Sequence, residues 1–396
     1  MKNILVLTSR IPAPLTGGDK LRIYNLCVGL AKEFRLTLLT FCSSEEEMTS
    51  DFPELDIFES VHRVHLPKWK SYLNTALALP TRTPLQLAYY RSAEFRRKAE
   101  ALSAEADGVL AHLLRTSQYV DRLAIRPKIL EMTDAISLTY QRMVEHDVGL
   151  SLKSLVYRIE RKRLKRYESD AVRAFDLVSL ISPIDVAHLQ AASGSNAGNI
   201  QVFSNGVDFA NLPFLGAGQG DEIVFIGNMH TLPNLDACRY FAEDILPVLR
   251  KTHSFRFKIV GDGPPSVKSE LERFEGVEVT GRVAKVADAV RGAFAAVCPM
   301  RFGAGLQNKV LEYMALGLPT VTTTMGLEGI DAQVGADVLV ADTPQAFAAQ
   351  LSSVRTDAAL ATRLSQNGRA FVETHHDWEP IRAGFCSAVR AAFEAE

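Results

Sequence analysis

Apolar runs rich in β-branched residues alternate with longer helix-period segments along this chain, and the alternation begins twice. In the first half, Asn3 to Thr8, Leu36 to Phe41, Gly108 to Leu113, Lys128 to Met132, Leu177 to Ile181 and Ile200 to Phe203 read as buried strands. Helical patterns lie between them at Asp19 to Glu33, Leu85 to Glu105, Ser151 to Phe175 and Ile184 to Ala192. The second half starts afresh, with strands at Glu222 to Gly227, Phe255 to Gly261, Val277 to Gly281, Ala295 to Cys298, Pro319 to Thr323 and Val338 to Val340. Its helices are expected at Asn234 to Lys251, Ser266 to Phe274, Lys285 to Phe294, Asn308 to Leu316 and Pro344 to Leu351. A βαβα rhythm of this kind demands parallel sheets covered on both faces. At 396 residues the chain exceeds one ordinary core and suits two. The break is expected in LPFLGAGQGD, where three glycines and a proline suit a linker. This divides the chain into 1–211, a linker at 212–221, 222–377, and a last helix within 378–396 that has no strand after it and is expected to pack back on the first domain. The architecture expected is α/β, two doubly wound domains facing each other across a cleft.

Composition narrows the partners. A net charge of −2 gives no global attraction to nucleic acid, and the basic run at Ser151–Arg173 is not interleaved with aromatic residues in the manner of a stacking platform. The five cysteines are scattered without a C-x-x-C pair, which argues for a reducing compartment and against a disulfide framework or zinc site. The opening MKNILVLTSR is too short an apolar run for a signal peptide, and no uncharged run approaches the roughly 18 residues that span a bilayer. A cytoplasmic protein is expected, with any membrane contact peripheral.

One stretch points to chemistry: AAVCPMRFGAGLQNKVLEYMALGLPTVTTTMGLEGI, Ala295 to Ile330. A buried strand runs into a loop holding Arg301, Gly303, Ala304 and Gly305. A helix follows after Leu306 and Gln307, with Lys309 and Glu312 in its first turns. Small residues let a ligand approach the backbone, and the first amides of a helix have no partner inside it. With the charges of Arg301 and Lys309 added, the loop suits a diphosphate, and Glu312 lies on a face that a ribose could reach. The strand's carboxyl end is where open α/β sheets place such ligands.

Other motifs carry two readings each. Gly17-Gly18-Asp19-Lys20, between the first strand and first helix, offers amides to an anion or is a glycine turn with an Asp cap. Its spacing fits neither a dinucleotide fingerprint nor a Walker loop. SNGVD, 204–208, reads first as a turn. GDGP, 261–264, and Gly281-Arg282-Val283 close successive strands; a base could lie on the latter's backbone with Arg282 near phosphate, or Arg282 is a surface residue. His112 ends a strand and is either a satisfied structural residue or a partner for a sugar hydroxyl. Asp134 sits at an equivalent strand end or caps the next helix. Ser151–Arg173 carries eight basic against three acidic residues beside an apolar stripe of Leu152, Leu155, Val156 and Ile159. This is a solvated helix face or a contact for anionic lipid.

Taken together, the early Gly-Gly loop, SNGVD, IVFIGN, FKIVGDGP, TGRV and above all NKVLEYMALGLPTV resemble the GT4-type retaining glycosyltransferases, over nearly the whole length. Among these the chain is most similar in flavour to sugar transferases of bacterial exopolysaccharide clusters, which share GDK-x-R and G-x-Q-N-K-V-L-E. The resemblance implies the GT-B fold: an acceptor-side Rossmann-like domain, then a nucleotide-sugar-binding one. It implies transfer of a sugar from a nucleotide-diphosphate sugar to a glycan or polyprenyl-diphosphate-linked acceptor, without a metal or other cofactor, at the inner face of the cell membrane. By the same likeness Glu312 binds the ribose hydroxyls; Gly305, Leu306 and Gln307 hold the diphosphate; Val283 meets the base; His112 lies by the donor sugar; and Gly18 lies in the front loop.

Two departures stand out. Ala304 occupies the place of a glutamate that touches the donor sugar in many members. The strand that opens the second half continues as Gly227-Asn228-Met229, without the Arg and Lys that usually neutralise the leaving group. Arg301 and Lys309 are therefore expected to take over that charge. No carboxylate pair for a double displacement is evident, so a same-face attack is expected, with the departing phosphate accepting the acceptor's proton. The rival readings are a nucleotide-sugar epimerase on the same fold and a catalytically weak nucleotide-sugar-binding protein.

Overall fold

The computed structural model describes residues 1–15, 17–146, 152–193, 198–303 and 305–395. The chain forms two compact units: residues 1–205 with 378–396, and residues 206–377.

The first unit holds seven parallel strands: β1 (Asn3–Thr8), β2 (Arg35–Cys42), β3 (Ser60–His65), β4 (Gly108–His112), β5 (Lys128–Thr133), β6 (Leu177–Leu180) and β7 (Ile200–Val202). Their order is β3-β2-β1-β4-β5-β6-β7. The central strands are apolar on both faces because helices cover both; every residue of β4 is buried. The helix Trp378–Glu394 belongs here, packed against the helix Gly18–Leu30. Its Phe385, Val389 and Phe393 join Ile4, Leu26 and Leu30 in one core, and Phe393 stacks on Phe34 at 5.5 Å.

The second unit holds six parallel strands: β8 (Glu222–Ile226), β9 (Arg256–Val260), β10 (Val277–Gly281), β11 (Ala295–Cys298), β12 (Thr320–Thr322) and β13 (Leu339–Val340). Their order, β10-β9-β8-β11-β12-β13, repeats the winding of the first sheet. Both sheets are thus doubly wound and parallel, as the βαβα rhythm requires.

Several boundaries differ from expectation. Residues 212–221 are not a free linker: the amides of Leu215, Gly218 and Gly220 donate to Leu316, Ala293 and Gly292, binding the segment into the second unit. The helix expected over Leu85 to Glu105 is two, Leu85–Tyr89, which ends at the C-cap Tyr90, and Ala93–Ser103, which Ser92 caps by accepting from the Phe95 amide. The helix expected over Asn234 to Lys251 is Leu232–Tyr240, a π turn at Phe241–Ile245, and Leu246–Leu249. The wider turn precedes Pro247, which has no amide to give to a regular ladder. Strand β3, SVHRVH, escaped notice because an edge strand can be half polar. The helices Lys68–Ala78 and Ala358–His375 were also unexpected.

Candidate functional site

Each sheet reverses its direction of winding between its opening strand and its fourth, β1 beside β4 and β8 beside β11. Ligands of open α/β sheets lie outside the carboxyl ends of the strands at such points. Each unit has one.

In the first unit, β1 leads through a loop to the helix Gly18–Leu30, whose N-terminus has no side-chain cap. Gly17 and Gly18 are exposed there, with Gly17 at φ 113°. Lys20 is drawn back to donate to the Ala13 carbonyl at 2.9 Å, and Asp19 lies 3.5 Å from Arg10. One turn on, Arg22 is buried, 1% exposed. Its Nε donates to Glu131 Oε1 at 2.7 Å, and Nη1 donates to Asn205 Oδ1 at 2.8 Å and to the Ser204 carbonyl at 3.2 Å. Asn205 therefore does more in SNGVD than make a turn. Glu131, on β5, is wholly buried and also accepts from the Thr133 amide at 2.9 Å. His112, at the end of β4, is 4% exposed; its Nε2 lies 3.3 Å from Glu131 Oε2, out of line for a hydrogen bond.

Removal from water opposes the charge on Glu131, but the Arg22 guanidinium, His112 and the bonds it accepts prevail, so its carboxyl lies below the usual range. Burial pulls His112 down despite Glu131, favouring the neutral imidazole. The residues that follow His112 and Glu131 by one and two places are strained: Leu113 at φ 65° and Thr133 at φ 67°. A β-branched residue there is a real outlier, and such conformations cost about 1–3 kcal/mol. Both are held by Glu131, whose carbonyl accepts from the Leu113 amide at 2.7 Å and whose carboxylate accepts from Thr133.

Asp134 does not cap the helix Ile136–His146. The Ala135 amide donates to Asp185 at 2.9 Å and the Ser137 amide to Glu168 at 3.0 Å, so carboxylates from other segments meet that N-terminus. Burial, then the neighbouring Asp185 charge, pushes Asp134 up to about 7; burial pushes Glu168 up to about 7.

In the second unit, buried β11 ends at Cys298 and the chain passes Arg301, Gly303 and Gly305 into the helix Asn308–Ala315. Ala304 lies outside the described residues. Gly303 stands at φ 149°, a conformation that glycine tolerates and side chains rarely do. Gln307 occupies the N-cap position without bonding its side chain to the helix. Instead its amide reaches the Gly305 carbonyl at 3.4 Å, and Lys309 Nζ donates to Gln307 Oε1 at 3.0 Å. Leu306 is buried. Lys309 Nζ also lies 5.4 Å over the Phe225 ring. Three residues on, Glu312 is half-buried; loss of water pushes its carboxyl up, with Lys309 pulling the other way. Tyr313, wholly buried, pins the helix to β8 by accepting from the Ile226 amide at 2.9 Å.

Arg301 is already paired. Its Nε donates to Asp236 Oδ2 at 2.9 Å and Nη2 to Oδ1 at 2.5 Å, and the guanidinium lies 4.7 Å over Tyr240. Asp236 sits on the helix that follows β8, in the region where the family resemblance leads one to expect cations. Arg282, exposed, and Val283, half-buried, follow Gly281 at the end of edge strand β10. GDGP answers to packing: a Cβ at Gly261 would fall 1.8 Å from the Gly227 carbonyl oxygen.

The structure thus gathers Arg301, Gly303, Gly305, Leu306, Gln307, Lys309 and Glu312 around one helix start, with Arg282 and Val283 further along the same sheet edge. Gly17, Gly18 and His112 gather at the switch point of the first unit. Sequence reasoning missed Arg22, Glu131 and Asp236. A glutamate inside the apolar run KILEMT was a signal for the first two, since a buried acid needs a cation.

Two doubly wound parallel sheets on one chain, each with a glycine-bearing loop at its switch point, define a GT-B fold. Residues 220–357, within the second unit, match the family model of Glycosyl transferases group 1, which supports glycosyl transfer as the class of function. Over 400 residues, covering 96% of this chain and 98% of the relative, it is 19% identical to an uncharacterized 44.6 kDa protein in the cps region of Klebsiella pneumoniae. Among solved structures it is similar to sucrose-phosphate synthase from Thermosynechococcus elongatus, with a TM-score of 0.74, 16% identity and both chains fully covered. It is also similar to Anabaena HepE in complex with UDP and glucose, with a TM-score of 0.69, 15% identity, and 99% and 100% of the two chains covered.

Proposed function

We propose that this protein is a retaining glycosyltransferase that moves a sugar from a nucleotide-diphosphate sugar to a glycan or polyprenyl-diphosphate-linked acceptor in surface or exopolysaccharide synthesis. The observation that carries the reading is the helix start at Asn308, where Lys309 and Glu312 share one face behind a glycine loop that ends in an uncapped helix. Glu312 takes the ribose hydroxyls. The amides of residues 305–307 and the Lys309 ammonium hold the diphosphate. Val283 offers its backbone to the base, with Arg282 beside it. Relatives solved with UDP make uridine the first base to test.

In the reaction the bond from the anomeric carbon to the diphosphate oxygen breaks as the acceptor oxygen bonds the same face, and the acceptor proton passes to the departing phosphate. Lys309 and the helix amides are already oriented when negative charge appears on that phosphate, which lowers the barrier. Arg301 adds its charge only when the phosphate draws it from Asp236. His112, kept neutral by burial, accepts or donates one hydrogen bond to the donor sugar, and the Gly17-Gly18 loop contacts the acceptor end.

Thermal-shift titration with UDP-, GDP- and ADP-sugars should reveal one nucleotide that stabilises the chain. NMR of the product formed with a lipid-linked sugar should then show the donor's anomeric configuration. An inverted product, an epimer formed without acceptor, or stabilisation with no turnover would each overturn the reading.

A further inference from the structure

The helix Lys68–Ala78, KWKSYLNTALA, is built inside out. Its inward face is small and polar: Ser71 and Ala78 are buried, and Asn74 and Thr75 half-buried, with Asn74 donating to the Arg91 carbonyl at 2.9 Å. Its outward face is apolar: Trp69 is 68% exposed, Tyr72 65% and Leu77 66%, with Leu73 and Leu79 also in solvent. A surface helix ordinarily does the reverse. Soluble proteins seldom leave so much apolar surface contiguous without something to cover it.

The patch continues onto a second element. Arg163, on the helix Leu152–Ala174, donates to the Leu79 carbonyl at 2.6 Å. Leu155 and Ile159 precede Arg163 at four-residue spacing, hence on its face, and are 53% and 42% exposed. Three residues from each, Arg158 and Lys162 begin a parallel exposed row that continues at Arg166. Lys68 and Lys70 lie in the first turn of the helix Lys68–Ala78 and Arg82 follows its end, and from 68 to 82 there is no acidic residue. Among the described residues no helix is long and apolar enough to cross a membrane.

We infer that this face, led by Trp69, Tyr72, Leu73 and Leu77 and rimmed by Lys68, Lys70, Arg158 and Lys162, docks on an anionic phospholipid bilayer. Aromatic rings with one polar end suit the bilayer interface, and the rim supplies the charge complement of anionic headgroups. Of the surface named from the sequence, Ser151–Arg173, the described residues from Leu155 to Arg166 form its smaller, basic part. The inference deepens the reading of a lipid-linked acceptor: Lys68 and Ser71 also line a cavity of about 250 Å³ at the carboxyl ends of β1 and β2, with Ser9, Arg10, Lys20 and Tyr90. A lipid-borne diphosphate sugar would reach these cations from the docked face.

The test is flotation of the full chain with vesicles of phosphatidylcholine, with and without about a third phosphatidylglycerol. Binding to the anionic vesicles should exceed binding to the neutral ones by about tenfold or more, and the exposed-site triple variant Trp69→Ser, Tyr72→Ser, Leu77→Ser should lose it by a similar factor. Of the two tryptophans, Trp378 is buried, so in a Trp378→Phe background Trp69 emission should shift blue on anionic vesicles. No binding, equal binding by the variant, an unmoved Trp69 spectrum, or a wild-type dimer that the variant abolishes would each overturn the inference. Transfer to a short water-soluble acceptor should survive the triple substitution. Failure of transfer altogether would count against the proposed function and leave vesicle binding to decide this point.

Discussion

The two switch points share a topology and differ in how they hold charge. In the first unit the central charged pair is buried and spoken for: Arg22 binds Glu131 and Asn205, and Glu131 holds two strained backbones in place. In the second unit the charged groups lie nearer solvent. Lys309 donates to the half-buried Gln307 side-chain amide, Glu312 is half-buried, and Arg301 is held by Asp236 in a pair that is 40% and 18% exposed. A buried network fixes geometry before any ligand arrives. A loose one leaves its charges for a ligand to collect. The same fold thus provides a preformed wall in one unit and a receptive loop in the other.

The largest effect expected follows from the buried side of that contrast. Glu131→Ala strips the counter-charge from Arg22 and the carboxylate acceptor from the strained Thr133 amide, and breaking one partner of a buried pair costs about 3–5 kcal/mol. Urea unfolding followed through a first-unit probe should show a loss of this size. Replacing both charges, Arg22→Met with Glu131→Leu, should restore much of it, because an apolar pair has no stranded charge. A Glu131→Ala loss below about 1 kcal/mol would mean that water reaches Arg22, and the contrast between the units would fail.

Next in size is the receptive loop. Lys309→Ala should lower kcat about 100- to 1000-fold, the usual cost of losing one oriented donor to a developing anion, with little change in melting temperature. Arg301→Ala should cost less than Lys309→Ala, because its charge is already offset by Asp236. Equal losses would show that substrate takes Arg301 from Asp236 on binding, and would sharpen the comparison by making the second unit a switchable pair.

How much of this could be read from the chain follows from the same physics. Both sheets were legible because central parallel strands must be apolar on both faces, and runs such as NILVLT and AAVC announce themselves. The helix start at Asn308 was legible because glycines, a basic residue and an acid lie within one short stretch. Strand β3 and the helix Lys68–Ala78 were not: one is a half-polar edge, and the other reverses the usual inside and outside. The Asp236–Arg301 and Arg22–Glu131 pairs join residues 65 and 109 positions apart, and no local spacing could announce them.

The smallest effect concerns the carboxylates gathered around the helix Ile136–His146. Glu168 titrates near 7 in the folded chain, above its ordinary value, so the native state keeps a proton that the unfolded chain has lost. Its contribution is present below the unfolded value and disappears as pH rises through about 7, a fall of about 1 kcal/mol between pH 6 and 8. Asp134, also near 7, acts in the same direction. His112 and Glu131, both lowered, act the opposite way, since their stabilisation is lost as pH falls. Glu168→Gln separates the two. The variant keeps an acceptor for the Ser137 amide and cannot ionise, so its stability relative to the parent should rise by about 1 kcal/mol from pH 6 to pH 8. Parallel melting curves for parent and variant across that interval would mean that Glu168 is already ionised at pH 6, and that the acids behind the first unit's switch point are as open to water as those of the second.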